Sequence, residues 1–258
     1  MKIVRYSAEG EGRYGVAEED GTIGELAGSP FDSLEVGEAV AQLDQVEVLA
    51  PVAMPRIIGV GLNYAAHAAE GGHEPPTRPM LFMLPSTAVI GHEKEIVYPL
   101  QGEEVAYEGE LAVVIGKKAR RVSEAEALSY VLGYSCGTDV SERVIQRQEM
   151  SRGCILVGKG FDTFCPLGPC IATGLDPTHL ELRTRVNGEE KQHTNTADMI
   201  FSVAQLVSYI SEAITLLPGD VIMTGTPSGV GSIVPGDVVE VEIEGVGILR
   251  NPVVAEEA

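Results

Sequence analysis

An α+β fold, mainly β, is predicted for this chain on three observations. Short runs that alternate apolar and polar residues, or stay apolar throughout, follow one another along most of the 258 residues. Thirty glycines and fifteen prolines cut those runs at turn-like dipeptides. Few stretches hold a helical period. The length suits one large domain with a small appendage and allows a sizeable buried core.

Residues 1–53 alternate weakly in "KIVRYS" and "RYGVAEEDGTIGEL" and end at "VEVLAPVAMPR", where two prolines mark a boundary. They are expected to form a small N-terminal β-rich domain, with residues 54–258 as the main domain. "RIIGVGLNY" reads as a strand and "AAHAAE" as a short helix stopped by Gly71 and Gly72, before "GGHEPPTRP", which has the composition of a mobile surface loop. "LAVVI" from Leu111 is apolar on both faces and predicts a buried strand. The spacing predicts a helix over "SEAEALSYV", with Ser123 as N-cap and Glu126 closing a capping box. A second helix is predicted across "DMIFSVAQLVSYISEAI", where Ile200, Val203, Leu206, Val207 and Ile210 share a face. Two Pro-Gly-Asp turns, "LLPGD" and "IVPGD", punctuate the C-terminal strands.

The formal charge of -20 argues against nucleic acid and anionic membranes as partners. It also repels an anionic substrate, which would need a metal ion or a local cluster of Lys and Arg. "MKIVRYSAEGEG" turns polar too soon for a signal peptide, and no apolar run approaches the ~20 residues of a membrane span, so a soluble, cytoplasmic protein is expected. Cys136, Cys154, Cys165 and Cys170 fall in no C-x-x-C pattern and read as free, small core residues.

Against this background "VAYEGELAVVIG" carries two acids into a core strand. Positions two apart on a strand share a side, so Glu108 and Glu110 project together. Buried without a cation, such a pair costs several kcal/mol, and hard oxygen ligands select Mg, Mn or Ca over zinc. The plain alternative is a solvated strand end. Downstream, "GYSCGTDVSERVIQ" places Asp139 after another strand-like run. A helix starting at Asp139 would carry Arg143 and Gln146 on the same side, and Asp139 would complete a three-oxygen metal site. The alternative there is an aspartate N-cap with a solvated arginine behind it. "GKGFDTFCPLGP" supplies Lys159, and "MTGTPSGVG" supplies a small-residue loop around Thr226 whose backbone N–H groups could hold a carboxylate. That loop lacks the G-K-[ST] ending of a nucleotide-binding P-loop.

Taken in order, "GVGLNYAAHAAE", "YEGELAVVIG", "GYSCGTDVSERVIQ", "GKGFDTFCPLGP", "RVNGE" and "MTGTPSGVG" resemble the fumarylacetoacetate hydrolase family over roughly residues 56 to 254. The resemblance implies a β-roll catalytic domain, a divalent Mg or Mn cofactor and a homodimer. It implies Glu108, Glu110 and Asp139 as metal ligands and Arg143, Gln146, Lys159 and Thr226 as groups facing substrate. Members of the family hydrolyse acylpyruvates, decarboxylate oxaloacetate or isomerise unsaturated 2-hydroxy dioates of aromatic catabolism, so the partner expected is a small 2-oxo or 2-hydroxy-enoic acid.

His67 and Glu70 bear on the choice of reaction. Three residues apart on a short helix, they can act together, Glu70 holding the imidazole while His67 takes a proton from water. This resembles the His/Glu pair that hydrolytic and decarboxylating members carry on a lid. Without that context the pair reads as a solvated one beside a flexible loop. A zinc site from His67, Glu70 and His73 is disfavoured by the intervening glycines and by the absence of H-E-x-x-H. Two departures stand out: Leu84 occupies the place of a lysine common in relatives, and Val144 that of an aspartate. The leading expectation is a metal-dependent hydrolase cleaving a C–C bond of acylpyruvate-like (2,4-diketo) acids, with oxaloacetate decarboxylation as a second activity. The alternatives are a 2-hydroxyhepta-2,4-diene-1,7-dioate isomerase and a non-catalytic 2-oxo acid binding protein.

Overall fold

A computed structural model of the chain describes residues 1–257. Strands outnumber helices, as the sequence leads one to expect, and among the described residues the largest sheet has twelve strands. Its main path runs Val36–Gln42, Thr22–Leu26, Glu11–Ala17, Lys2–Ala8, Cys165–Ala172, Val131–Thr138, Gly109–Ile115, Val221–Met223, Ile57–Gly61 and Met80–Leu84. The N-terminal strands join the rest through a single antiparallel pairing, Lys2 opposite Ala172 and Ile3 opposite Ile171. In the middle, Gly109–Ile115 is hydrogen-bonded on both edges, to Val131–Thr138 and to Val221–Met223. All seven of its residues are buried, which is what an apolar run without alternation requires.

A five-stranded sheet of Glu189–Asn195, Glu181–Val186, Val238–Ile243, Gly247–Ala255 and Ile96–Tyr98 packs beside it. Val238–Ile243 alternates between buried and half-buried positions, the mark of a sheet with one covered face. Leu111, Val113, Leu182, Val241 and Leu206 belong to one continuous cluster that joins the two sheets to a helix. Each such side chain, once buried, stabilises the fold by roughly 1.5–3 kcal/mol.

Among the described residues five short helices complete the fold: α1 (Ala65–Glu70), α2 (Glu124–Ala127), α3 (Arg143–Met150), α4 (Val157–Gly160) and α5 (Val203–Ala213). Three differ from the sequence expectation. In α2, the Ser123 hydroxyl donates to the Glu126 carboxylate at 2.7 Å and caps no backbone N–H, so the expected capping box does not form. The helix then tightens after one turn into a 3-10 turn, because Val131 is already paired with Ile115. The predicted helix over 198–214 begins only at Val203, leaving Ile200 outside it. Its true start is a capping box in which Ser202 and Gln205 exchange side-chain and backbone bonds, and Val203, Leu206, Val207 and Ile210 form the buried face. Asp139 starts no helix. Ser141 and Glu142 pair with Ala106 and Val105 as a strand, which keeps the chain extended until Glu142 caps α3.

Both Pro-Gly-Asp segments are turns built alike. The N–H of Asp220 returns to the Leu217 carbonyl and that of Asp237 to the Val234 carbonyl, with Gly219 and Gly236 at positive φ as a type II turn demands. Asp220 also pairs with Arg56, whose guanidinium reaches the Thr215 carbonyl at 2.7 Å. Cys136, Cys165 and Cys170 are buried free thiols, whereas Cys154 is exposed, against the expectation that all four are core residues. Among the described residues no helix is long and apolar enough to cross a membrane.

Gly109, between the two strand-borne acids, is required by packing. A Cβ there would lie 2.0 Å from Thr184 Oγ1, in the neighbouring sheet. Gly109→Ala should therefore destabilise the protein by about 1–3 kcal/mol, read as a lower urea midpoint, and a G109A/T184A double variant should recover most of that loss. An unchanged midpoint in the single variant would contradict this close approach.

Candidate functional site

Three carboxylates meet where two strand ends abut. Glu108 lies in the joint between Val105–Tyr107 and Gly109–Ile115, and Glu110 is the second residue of the latter strand. Asp139 follows Val131–Thr138, and its N–H donates to the Glu108 carbonyl at 2.9 Å. That backbone bond sets the register, and one oxygen from each of Glu108, Glu110 and Asp139 falls within 4.8 Å of the other two. None of the three residues is more than 5% exposed.

The two cations expected to face substrate, Arg143 and Lys159, both border one cavity, and both are bonded into the carboxylate cluster. Lys159 Nζ donates to Glu108 Oε2 at 3.0 Å, Asp139 Oδ2 at 2.6 Å and Ser141 Oγ at 2.8 Å. Its three N–H groups are thus committed to the protein. Arg143 reaches Glu108 Oε1 at 2.8 Å and the Gln146 side-chain carbonyl at 2.8 Å, leaving donors free. Glu110 Oε2 accepts the Gly225 N–H at 2.8 Å, while Asp139 Oδ1 is buried with no partner.

Charge follows from this geometry. Burial pushes Glu110 well above the usual carboxylate range, and the neighbouring Asp139 and Glu108 push it further. Burial also raises Asp139, to about 6, although Lys159 opposes it. At Glu108 burial acts upward too, but Lys159 and Arg143 outweigh it and hold the carboxyl below its ordinary value. Burial disfavours the Lys159 ammonium, yet Asp139 and Glu108 keep its pKa above the usual lysine value. With all three carboxylates ionised, the two cations leave one negative charge, and the orphaned Asp139 oxygen points to a missing cationic partner. The all-oxygen donor set fits a hard divalent ion.

Across a cavity of about 440 Å³ lie His67 and Glu70 of α1. His67 Nδ1 is 3.4 Å from Glu70 Oε2, and the Glu70 carboxylate also accepts the Gly229 N–H at 3.2 Å. The "GTPSG" loop is thereby tied to α1. Thr226 lines the same cavity, but its hydroxyl donates to the Gly109 carbonyl and accepts from Gln192. Leu84 sits in the core below the cavity, 3% exposed, so the strand Met80–Leu84 brings Met80 and Phe82 to the wall and no cation.

Several contributing residues escaped the sequence reading. The buried Glu142 carboxylate accepts the N–H groups of Glu103, Glu104 and Ile145, fixing the start of α3 beneath Arg143. Glu149 accepts those of Leu156, Val157 and Gly158 and so holds the turn that delivers Lys159. Gln192 bonds Gly109 and Thr226, and Asn63 binds the Thr224 carbonyl. An acid just before "RVIQ" was the one local signal, and it marks Glu142 as an N-cap.

The profile of the fumarylacetoacetate (FAA) hydrolase C-terminal domain matches residues 56–254, and an Rv2993c-like N-terminal profile matches residues 1–51. A 2,4-didehydro-3-deoxy-L-rhamnonate hydrolase of Sphingomonas sp. is 42% identical, over 98% of this chain and 96% of its own. The mitochondrial oxaloacetate tautomerase Fahd2a of Rattus norvegicus is also 42% identical, over 81% of this chain and 70% of its own. The crystal structure of a 5-carboxymethyl-2-hydroxymuconate delta-isomerase from Mycobacterium smegmatis superposes with a TM-score of 0.92 at 42% identity, covering 99% of this chain and 100% of that one.

Asp139 supplies a pH test. Its pKa rises from 3.8 to about 6 on folding, so its contribution is complete below 3.8 and lost as pH climbs through about 6. In EDTA, the urea stability of the wild type relative to Asp139→Asn should therefore fall, by an amount on the order of 2–3 kcal/mol, between about pH 4 and 6. A difference that is flat or rises across that window would show that Asp139 is not a destabilised buried acid.

Proposed function

The chain belongs to the fumarylacetoacetate hydrolase family, and from that premise we propose that it is a metal-dependent hydrolase cleaving a C–C bond of acylpyruvate-like 2,4-diketo acids. The observation that carries this reading is His67: it lines the cavity that also exposes Glu108 and Asp139, with its Nδ1 turned to Glu70. A hydrolase needs a group that activates water across from the acid end of its substrate. The Sphingomonas relative, whose name specifies a 2,4-dioxo acid, supports the same class.

Glu108, Glu110 and Asp139 would hold Mg or Mn, which when bound supplies Lewis-acid polarisation of the 2-oxo acid end. Arg143 then holds the substrate carboxylate with its uncommitted N–H groups, and the Gln146 amide borders the same end. Lys159 fixes Glu108 and Asp139 and keeps the positive field in place as negative charge develops on the substrate. Glu70 selects the tautomer with hydrogen on Nδ1, so His67 Nε2 takes the proton from water as the oxygen adds to the 4-carbonyl carbon. When the C3–C4 bond breaks, its electron pair goes to the pyruvate fragment, and C3 receives the proton back. The products are pyruvate and the carboxylic acid of the acyl group.

An isomerase acting on 2-hydroxyhepta-2,4-diene-1,7-dioate is the second reading; the Mycobacterium smegmatis structure, named a 5-carboxymethyl-2-hydroxymuconate delta-isomerase, supports the isomerase class. It needs no water nucleophile. We take the chain to work as a cytoplasmic homodimer, with residues 1–53 a small N-terminal domain on a catalytic domain of 54–258; unbridged thiols suit that compartment.

His67→Ala should lose roughly 100-fold or more in acetylpyruvate cleavage, the scale of general-base catalysis, while deuterium exchange at C3 of a bound 2-oxo acid survives. Cleavage at the wild-type rate, or dienedioate isomerisation far faster than any acylpyruvate cleavage in the wild type, would replace the hydrolase with the isomerase. For the metal, Mg or Mn should raise the wild-type Tm. Glu110→Gln should abolish that rise without lowering the Tm in EDTA, since Glu110 is an acid that burial already disfavours as an anion. An undiminished metal shift in Glu110→Gln would place the ion elsewhere.

A further inference from the structure

We infer that the cavity selects acids with a single carboxylate and an uncharged acyl end, and that it turns away dicarboxylates such as the dienedioate. This rests on the acid end of the substrate lying against Arg143, as in the reading above. Among the described residues, three permanent cations reach the cavity wall: Arg143, Arg147 and Lys159. Lys159 has all its donors on Glu108, Asp139 and Ser141. Arg147 is paired with Glu104 at 2.6 Å across the exposed mouth. Arg147 thus lies at the solvated rim (side chain 60% exposed) with its charge already countered, and Arg143, 17% exposed, is the cation set inside the cavity with donors left for a carboxylate.

The remainder of the wall is hostile to a second anion. His67 faces Glu70, and His73 packs beside Gly71. Glu70 and Glu104 present carboxylates, while Met80, Met150, Ile155 and Val230 present apolar surface. The position that could have brought a lysine to this wall is Leu84, which is buried in the core instead. A second carboxylate would lose its hydration beside like charges and meet only an arginine whose charge Glu104 already counters. An acyl group without charge meets no such barrier, and Glu104 acts at a distance from the reacting atoms as a specificity residue because it silences Arg147.

Two probes of equal carbon number isolate the effect: 2-oxopentanoate and 2-oxopentanedioate, titrated calorimetrically into the Mg-loaded protein. The monoacid should bind at least 10-fold more tightly to the wild type. Glu104→Gln, which frees Arg147 on an exposed site, should raise dicarboxylate affinity and shrink the ratio several-fold while leaving monoacid affinity unchanged. Equal or tighter binding of the dicarboxylate to the wild type would overturn the inference, and an unchanged ratio in Glu104→Gln would remove Glu104 from it. Because binding is read without turnover, a protein that fails to cleave acylpyruvates yet prefers the monoacid would defeat the hydrolase reading and leave this one standing.

Discussion

Three buried carboxylates within 4.8 Å of one another repel by roughly 3 kcal/mol per pair at an effective dielectric near 20, and the surrounding structure is arranged around offsetting that repulsion. Lys159 and Arg143 provide the offset, but only if each is delivered to a fixed point. Glu142 closes the start of α3 under Arg143, and Glu149 gathers three backbone N–H groups of the turn that ends in Lys159. Two further acids are thus spent on positioning the cations that neutralise the first three. A chain of formal charge -20 concentrates positive groups here by geometry, since its composition offers 18 Lys and Arg against 38 Asp and Glu.

What the sequence reveals and conceals divides along sequence separation. Glu108 and Glu110 were legible because the two-residue period of a strand and the apolar run after it are local signals. The site residues named from the family resemblance converge on one cavity or stand directly behind it, although that convergence does not assign their roles. Asp139 was correctly placed as a strand-end acid and wrongly given a helix, because the pairing of Ser141 and Glu142 with Val105 and Ala106 overrides the local pattern. Gln192 and Asn63 were invisible for the same reason: their partners Gly109 and Thr224 lie 83 and 161 residues away. The missed start of α5 is different in kind. "SVAQ" is a complete capping box, and the apolar residues before it drew the predicted boundary too far upstream.

The two ends of the cavity are built on unequal foundations. At one end all three carboxylates of the cluster stand on or beside a strand hydrogen-bonded within the sheets, and the Cβ-free Gly109 lets the neighbouring sheet close against it. The opposite wall is α1, six residues long, with no side-chain N-cap. Its fixed tie is the Glu70 carboxylate, shared between the His67 imidazole and the Gly229 N–H. A helix this short is marginal on its own, so its position depends on that shared contact and on the buried Ala68 beneath it.

That asymmetry suits a frame whose relatives are named as a hydrolase, a tautomerase and an isomerase. On the proposed reading, negative charge on a 2-oxo or 2-enol acid is stabilised at the rigid end, where removing Lys159 would leave buried carboxylates unpaired. On the same reading, the activation of water and the fit of the far end of the substrate are set on the α1 side and at the mouth. Residues there, such as Glu104, Arg147 and Met150, are at least partly exposed and can change without leaving an unpaired charge in the core. Substitutions at the mouth therefore cost little stability, while Lys159 is held in place by the two buried carboxylates it pairs with.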